Sequence, residues 1–304
     1  MKSIPFGVFP TMVTPFDGNL QVDYPALEPL LRWYEDRNVA GMFAICQSSE
    51  IFYLSFDERL RILRELMRLR RPSTVMLASG HTAYDPATQI REAQAFIAEG
   101  IDAYVFISNR FAAPAEDEDV FLRRVETVAR ELGDIPLGLY ECPHPYKRLI
   151  PPETLRRLTE LGNFCFLKDT CCNLEQIRAK LAAAEGTGFR LYNANAATLL
   201  ESLRMGAAGY SGIMANFHPD IYARLCRVYR DNPAEAERLQ NFVGFASLAE
   251  SQLYPVNAKY NIHQDGVTLG WQCRVTDAAA FTPNRRMEID QLRAVTKAFL
   301  GAGN

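Results

Sequence analysis

Short apolar runs and amphipathic stretches alternate eight times along this chain of 304 residues. The apolar runs are rich in β-branched and aromatic residues and centre near Phe9, Phe43, Met76, Val105, Leu137, Phe166, Leu191 and Tyr210. Each reads as a short buried strand. The intervening stretches are residues 24–37, 56–70, 86–99, 116–132, 152–161, 174–184 and 197–205, with a further helix near 220–230. Leu60, Leu63, Leu66 and Met67 recur at the three- and four-residue steps of one buried helix face. Pro86, Pro152 and Pro219 stand where a first helical turn tolerates proline, and Asp57 and Asp85 suit helix N-termini. Eight β-then-α units in series predict an α/β chain closed into a (β/α)8 TIM barrel. A doubly wound open sheet would prefer a GxGxxG turn after its first strand, and residues 9–18 contain none.

Beyond the eighth unit no clear strand follows, while residues 234–253, 256–260 and 287–300 have helical character. The expected organisation is therefore a barrel over 1–231 and a C-terminal helical domain over 232–304.

Charge and composition narrow the function. A net charge of −3 gives no footprint for nucleic acid or an anionic membrane. The arginines at 61, 64, 68, 70 and 71 alternate with Leu and Glu, as on a solvated helix face. No run reaches the roughly 18 apolar residues that span a bilayer. Pro5, Pro10 and Pro15 interrupt the apolar start, so no secretion signal is read there. Seven cysteines, odd in number and scattered, point to a reducing cytoplasm rather than a disulfide framework. Cys171 and Cys172 are adjacent, without CxxC spacing or a nearby histidine, and no zinc site is expected there.

In such a barrel the chemistry gathers where strands end. Those ends hold Cys46 to Glu50, Ser79 to His81, Ser108 to Phe111, Tyr140 to His144, Lys168 to Thr170, and Ser211 with Gly212. Lys168 closes the apolar run Asn163-Phe164-Cys165-Phe166-Leu167. Burial disfavours an ammonium and lowers its pKa, and a neutral amine can attack a carbonyl to form a Schiff base. The same lysine is also compatible with a structural ion pair at a strand end. Tyr140 ends the preceding strand, and neighbouring strands lie about 4.8 Å apart. A phenol and an amine there can converge on one reacting carbon, the phenol moving protons.

The segment Gly7-Val8-Phe9-Pro10-Thr11-Met12-Val13-Thr14-Pro15-Phe16, the polar loop ending in Glu50, Tyr140 followed by Pro143, and Phe166-Leu167-Lys168-Asp169 occur in this order. With Gly206-Ala207-Ala208-Gly209 and Ala215-Asn216, the chain resembles the dihydrodipicolinate synthase/N-acetylneuraminate lyase family from about Pro5 to Leu300. The resemblance implies a barrel with a helical C-terminal domain, homo-oligomers (tetramers or dimers), and lyases that act on 2-oxo acids through a lysine Schiff base. It implies no cofactor and no metal. Lys168 then becomes the imine-forming amine and Tyr140 the proton-transfer phenol. The expected substrate-binding set is Gln47, Ser48, Ser49, Arg110, Thr170, Ser211 and Gly212.

Departures from the family pattern limit the substrate. Gln47 replaces a threonine and Ser49 a glycine in the carboxylate-binding loop. Phe111 stands where the synthase branch supplies a relay tyrosine, and Pro145 where it has an acceptor-binding arginine, with Lys147 and Arg148 nearby. Ala196 and Ala197 stand where the sialic-acid lyase branch has acidic residues. What remains is aldol cleavage or condensation with pyruvate or a related 2-oxo acid, or dehydration of a 2-keto-3-deoxy sugar acid. One alternative is a non-catalytic barrel that binds a 2-oxo acid. The other is a metal-dependent lyase or hydrolase using His81, His144 and His218, which lack HxH or HExxH spacing.

Overall fold

The computed structural model describes residues 4–301. Eight parallel strands are β1 (Gly7–Val8), β2 (Gly41–Phe43), β3 (Val75–Ala78), β4 (Ala103–Ile107), β5 (Leu137–Tyr140), β6 (Phe164–Asp169), β7 (Arg190–Asn193) and β8 (Gly209–Tyr210). They pair in sequence order from β2 to β8, and β8 returns to β1. The seam between β1 and β2 is closed by backbone bonds from Ala40 N to Val8 O, Phe43 N to Pro10 O and Met12 N to Phe43 O. The expected eight-unit barrel is the observed one.

The helices on the outside are α1 (Leu27–Glu35), α2 (Phe56–Leu69), α3 (Pro86–Ala98), α4 (Glu118–Leu132), α5 (Pro152–Thr159), α6 (Leu174–Ala183), α7 (Leu199–Arg204) and α8 (Pro219–Val228). Their starts follow local chemistry. Asp85, Asp117 and Asn173 accept bonds from backbone N–H groups three residues on, and Ser55 with Glu58 forms a reciprocal capping box at α2. Arg64, Arg68, Arg70 and Arg71 pair with Glu99, Glu65, Asp102 and Asp36, as a solvated face does.

Side chains alternate across each strand, so residues two apart share a face. Phe9, Phe43, Phe166 and Tyr192 interlock within the barrel, with Phe166 stacked on Tyr192 at 4.8 Å and Phe9 edge-on to Tyr192 at 5.1 Å. This aromatic packing makes a dry floor, and Lys168 lies two residues beyond Phe166 on the same face.

The chain ends in α9 (Pro233–Ala246), α10 (Val256–Gln264) and α11 (Pro283–Gly301). A second core joins Leu239, Val243 and Ile289 of these helices to Val8, Leu199, Tyr210 and Tyr222 of the barrel. The expected division at 231/232 falls in the turn between α8 and α9. One expectation fails in detail: the helix over 234–253 stops at Ala246, with a single 3-10 turn at Ser247–Ala249. Leu253 is left-handed at φ 56°, and proline at 255 biases the residue before it away from helix. The break brings residues 250–255 to the mouth of the barrel.

Candidate active site

Tyr140 and Lys168 sit directly opposite one another in the β5–β6 ladder. Both are only 3 % exposed. The Lys168 Nζ lies 4.4 Å from the centre of the Tyr140 ring and 5.9 Å from that of Phe43. Among the described residues it has no carboxylate partner and no hydrogen bond. Burial therefore pulls its pKa below the ordinary lysine value, and the thiols of Cys46 and Cys142 oppose this only in part. Cation–π attraction to two rings softens the penalty without replacing a counter-ion. The structural ion-pair reading of Lys168 finds no partner among the described residues.

The Tyr140 hydroxyl donates to Gln47 Oε1 at 3.3 Å, and the same oxygen receives the Cys142 thiol at 3.4 Å. Burial first, then the neighbouring thiols, raise the Tyr140 phenol well above its usual value, so it stays protonated as a donor. Burial likewise pushes the Cys142 thiol up to about 11. Gln47 thus orients the phenol proton, but an amide oxygen used as acceptor does not pass it on.

A cavity of about 340 Å³ opens over these groups. The β2 loop supplies Gln47 and Ser48, the β5 loop Pro143 and Lys147, and the β6 end Thr170 and Cys172. Gly212 and Ile213 come from the β8 loop, and Glu250, Tyr254, Pro255 and Val275 come from the C-terminal region. The lining residue Cys172 is left-handed at φ 55°, and the β2 loop turns at Glu50 with φ 60°. Such conformations cost on the order of 1–3 kcal/mol each and persist where the surroundings impose them.

Each wall is fastened from behind. Glu50 is buried and salt-bridged to Lys259 of α10 at 2.7 Å, and its other oxygen accepts from the backbone N–H of Arg274 and Val275. The β2 loop and the C-terminal wall are therefore held by one carboxylate. Asn109 donates to the carbonyls of Cys142, His144 and Tyr146, which shapes the β5 loop. Asn216 donates to Thr11 O and to the Tyr254 hydroxyl, each at 3.0 Å. That hydroxyl also interacts with Ser48 and Thr11, while Ser48 Oγ donates to Thr11 Oγ1 at 3.0 Å.

Glu141 and Asp169 follow Tyr140 and Lys168 by one residue and so point the opposite way, out of the barrel. Both pair with Lys180 of α6 at 2.5 Å, and none of the three exceeds 1 % exposure. Burial opposes the Lys180 charge, but the two carboxylates overcome it and hold the ammonium above the ordinary range. Burial and the Asp169 charge raise the Glu141 carboxyl. The cluster locks together the two strand ends that carry the amine and the phenol.

Of the residues expected at the site, Lys168, Tyr140, Gln47, Ser48, Thr170 and Gly212 line the cavity. A side chain at Gly212 would collide with the Tyr210 hydroxyl and the Ala194 carbonyl, so glycine is needed there. Three do not reach it. Ser49 turns its hydroxyl to Met12 O and Ala44 O, and Ser211 donates to Phe9 O. Arg110 is held 4.6 Å from the ring centres of both Phe52 and Tyr84. Of the two nearby cations, Lys147 lines the cavity while Arg148 is engaged by Glu118 and by backbone carbonyls of the α4 approach. Phe111 packs against Phe106 at 5.0 Å within the core.

The three histidines do not converge. His81 accepts from Ile107 N and bonds the Tyr104 hydroxyl, and burial lowers its pKa to about 3. His218 stacks on Tyr222 and is likewise lowered by burial to about 3, whereas His144 is exposed. Among the described residues no group of three or more His, Cys, Asp or Glu side chains is arranged to hold a metal. Glu250 and Tyr254 were not found from sequence. They lie outside the strand ends, on a helix break whose place in space the local pattern does not report.

The model of the dihydrodipicolinate synthetase family matches residues 5–294. The 4-hydroxy-tetrahydrodipicolinate synthase of Alcanivorax borkumensis is 24 % identical over 265 residues, 87 % of this chain and 85 % of that one. The enzyme of the same name from Pseudomonas aeruginosa is 24 % identical over 268 residues, covering 86 % and 88 % of the two chains. Among solved structures, Escherichia coli K12 YagE in complex with pyruvate superposes with a TM-score of 0.86 at 20 % identity, over 96 % of this chain and 98 % of that one. Clostridium difficile CdNal in complex with mannosamine gives a TM-score of 0.84 at 16 % identity, over 94 % and 97 %.

Proposed function

Since the chain belongs to the dihydrodipicolinate synthetase family, a family of lyases, we propose that it forms a Schiff base between Lys168 and pyruvate or a related 2-oxo acid. The observation that carries this reading is a buried lysine without a counter-ion among the described residues, paired in the ladder with a protonated phenol. The neutral amine attacks the keto carbon, and the phenol protonates the departing hydroxyl of the carbinolamine. The protonated imine then withdraws electrons from the adjacent carbon. That permits aldol cleavage, condensation, or loss of a β-hydroxyl. Ser48, on the cavity wall, turns its hydroxyl from Thr11 to the substrate carboxylate.

The reading does not extend to the synthase reaction of the named relatives. The Phe111 ring has no hydroxyl, and Pro145 carries no charge. What remains is cleavage of a larger 2-oxo acid, or dehydration of a 2-keto-3-deoxy sugar acid, for which a cavity of about 340 Å³ has room. A homo-oligomer fits the family resemblance, and the exposed Tyr53 and Tyr84 are consistent with it. All seven cysteines are free, which fits a reducing cytoplasm, and no helix among the described residues is long and apolar enough to cross a membrane.

The test is trapping. Pyruvate with borohydride should add one reduced adduct, mapped to Lys168, and Lys168→Ala should abolish it while circular dichroism stays unchanged. Adducts spread over surface lysines would sink the reading.

A further inference from the structure

Imine chemistry uses one side of the cavity, where Lys168, Tyr140, Gln47 and Ser48 converge. At about 340 Å³ the cavity falls within the range of ligand pockets, far beyond what a three-carbon acid fills. Its lining carries two further charged side chains of opposite sign, Lys147 on the β5 loop and Glu250 on the break after α9. The Lys147 ammonium donates to Thr170 O at 2.9 Å and keeps further donors. The Glu250 carboxylate has no hydrogen-bond or ion-pair partner among the described residues, although it is half-buried. Burial holds its carboxyl above the ordinary range. Its backbone is fixed, with the N–H donating to Ser247 O at 3.0 Å. A part-buried carboxylate without a donor is costly, and a ligand that supplies the donor recovers that cost.

We propose, resting on the imine reading above, that Glu250 is the specificity-determining residue of the cavity beyond Lys168, accepting hydroxyl hydrogens from the polyhydroxylated tail of a 2-oxo acid. Lys147 donates to the same tail. An ionised carboxylate only accepts and an ammonium only donates, whereas a hydroxyl does both, so a polyol tail satisfies the pair. An aliphatic tail leaves Glu250 unpaired, and a tail ending in a second carboxylate brings a like charge toward it. Sites built to hydrogen-bond a hydroxyl reject analogues that lack it far more strongly than apolar pockets reject small size differences.

The experiment compares labelling rates at Lys168 with cyanoborohydride, read by intact mass, for pyruvate and for a 2-keto-3-deoxy hexonic acid. The native protein should label faster with the hexonic acid at low concentration. Glu250→Leu should lower the hexonic-to-pyruvate ratio by about 10–100-fold, and Glu250→Gln, which keeps one acceptor oxygen, should fall between. A ratio unmoved in both variants overturns the proposal, as does faster labelling by a 2-oxo dicarboxylic acid than by the hexonic acid. If neither acid labels Lys168 in the native protein, the imine reading itself is overturned. Labelling by both acids with an unmoved ratio removes only the role of Glu250.

Discussion

The imine chemistry proposed for Lys168 is set against stability. The lysine's folded pKa lies below the unfolded value, so between the two the native state binds fewer protons than the unfolded chain. Stability therefore rises with pH through that window, and the penalty is full below the folded pKa. Lys168→Met, which keeps the apolar volume and removes the charge, should raise stability by about 1–3 kcal/mol near neutral pH. The gain should shrink as pH approaches the ordinary lysine value of about 10.4. Thermal melts of the two proteins across this range check the sign, and a less stable variant at neutral pH would mean that the ammonium has a partner after all. Tyr140 separates from Lys168 in kind. Tyr140→Phe keeps the ring against Phe43 and removes only the proton donor. Turnover of the cognate substrate should fall by about 10²–10⁴, with slower trapping still mapped to Lys168. Full activity in steady-state assays would reduce the tyrosine to a wall of the cavity. The adjacency of the two residues at one cavity was legible in the sequence because they end consecutive strands one repeat apart. Ser49, Ser211 and Arg110 were misplaced because a strand end reports position along the barrel axis but not where a rotamer turns.

The β5 and β6 ends depend on what lies behind them. Lys180 neutralises two buried carboxylates, and Lys168 and Tyr140 alternate with those carboxylates along the same two strands. Removing one partner from a buried ionic cluster typically costs about 3–5 kcal/mol. Lys180→Met should therefore lower the unfolding free energy measured in urea by an amount of that order, bringing the midpoint down, and slow trapping at Lys168, although the substitution touches no cavity residue. An unchanged midpoint would show that Glu141 and Asp169 find other donors or become protonated. This cluster was not read from sequence, because its lysine sits on a helix one element beyond the strands it serves. The helices themselves were legible where the caps are local, as at Asp85. The span 234–253 was read too long because its composition stays helical past Ala246, and the stop comes from the left-handed Leu253 and the proline after it.

Barrel and C-terminal helices share a core. Leu239, Val243 and Ile289 pack with Val8, Leu199 and Tyr222, and Lys259 neutralises Glu50 across the same junction. Truncation after residue 231 would strip apolar partners from α7 and α8 and leave Glu50 buried without its cation. The shortened chain should therefore aggregate or fold loosely, and the full chain should melt in one calorimetric transition. A stable, soluble fragment 1–231 with a cooperative melt would instead establish the two segments as independent.

The local order of residues is enough to dictate the repeating β/α units, the closure they imply, and the amine–phenol pair, because each rests on periodicity or on the spacing of consecutive strands. The open wall of the cavity is different. Glu250, Tyr254 and Val275 line one cavity with Lys168 only after the chain has closed the barrel, ended α9 early and fastened α10 to Glu50. No short-range pattern encodes that approach, since it follows from burying one apolar surface against another and from pairing a charge with a partner more than 200 residues away.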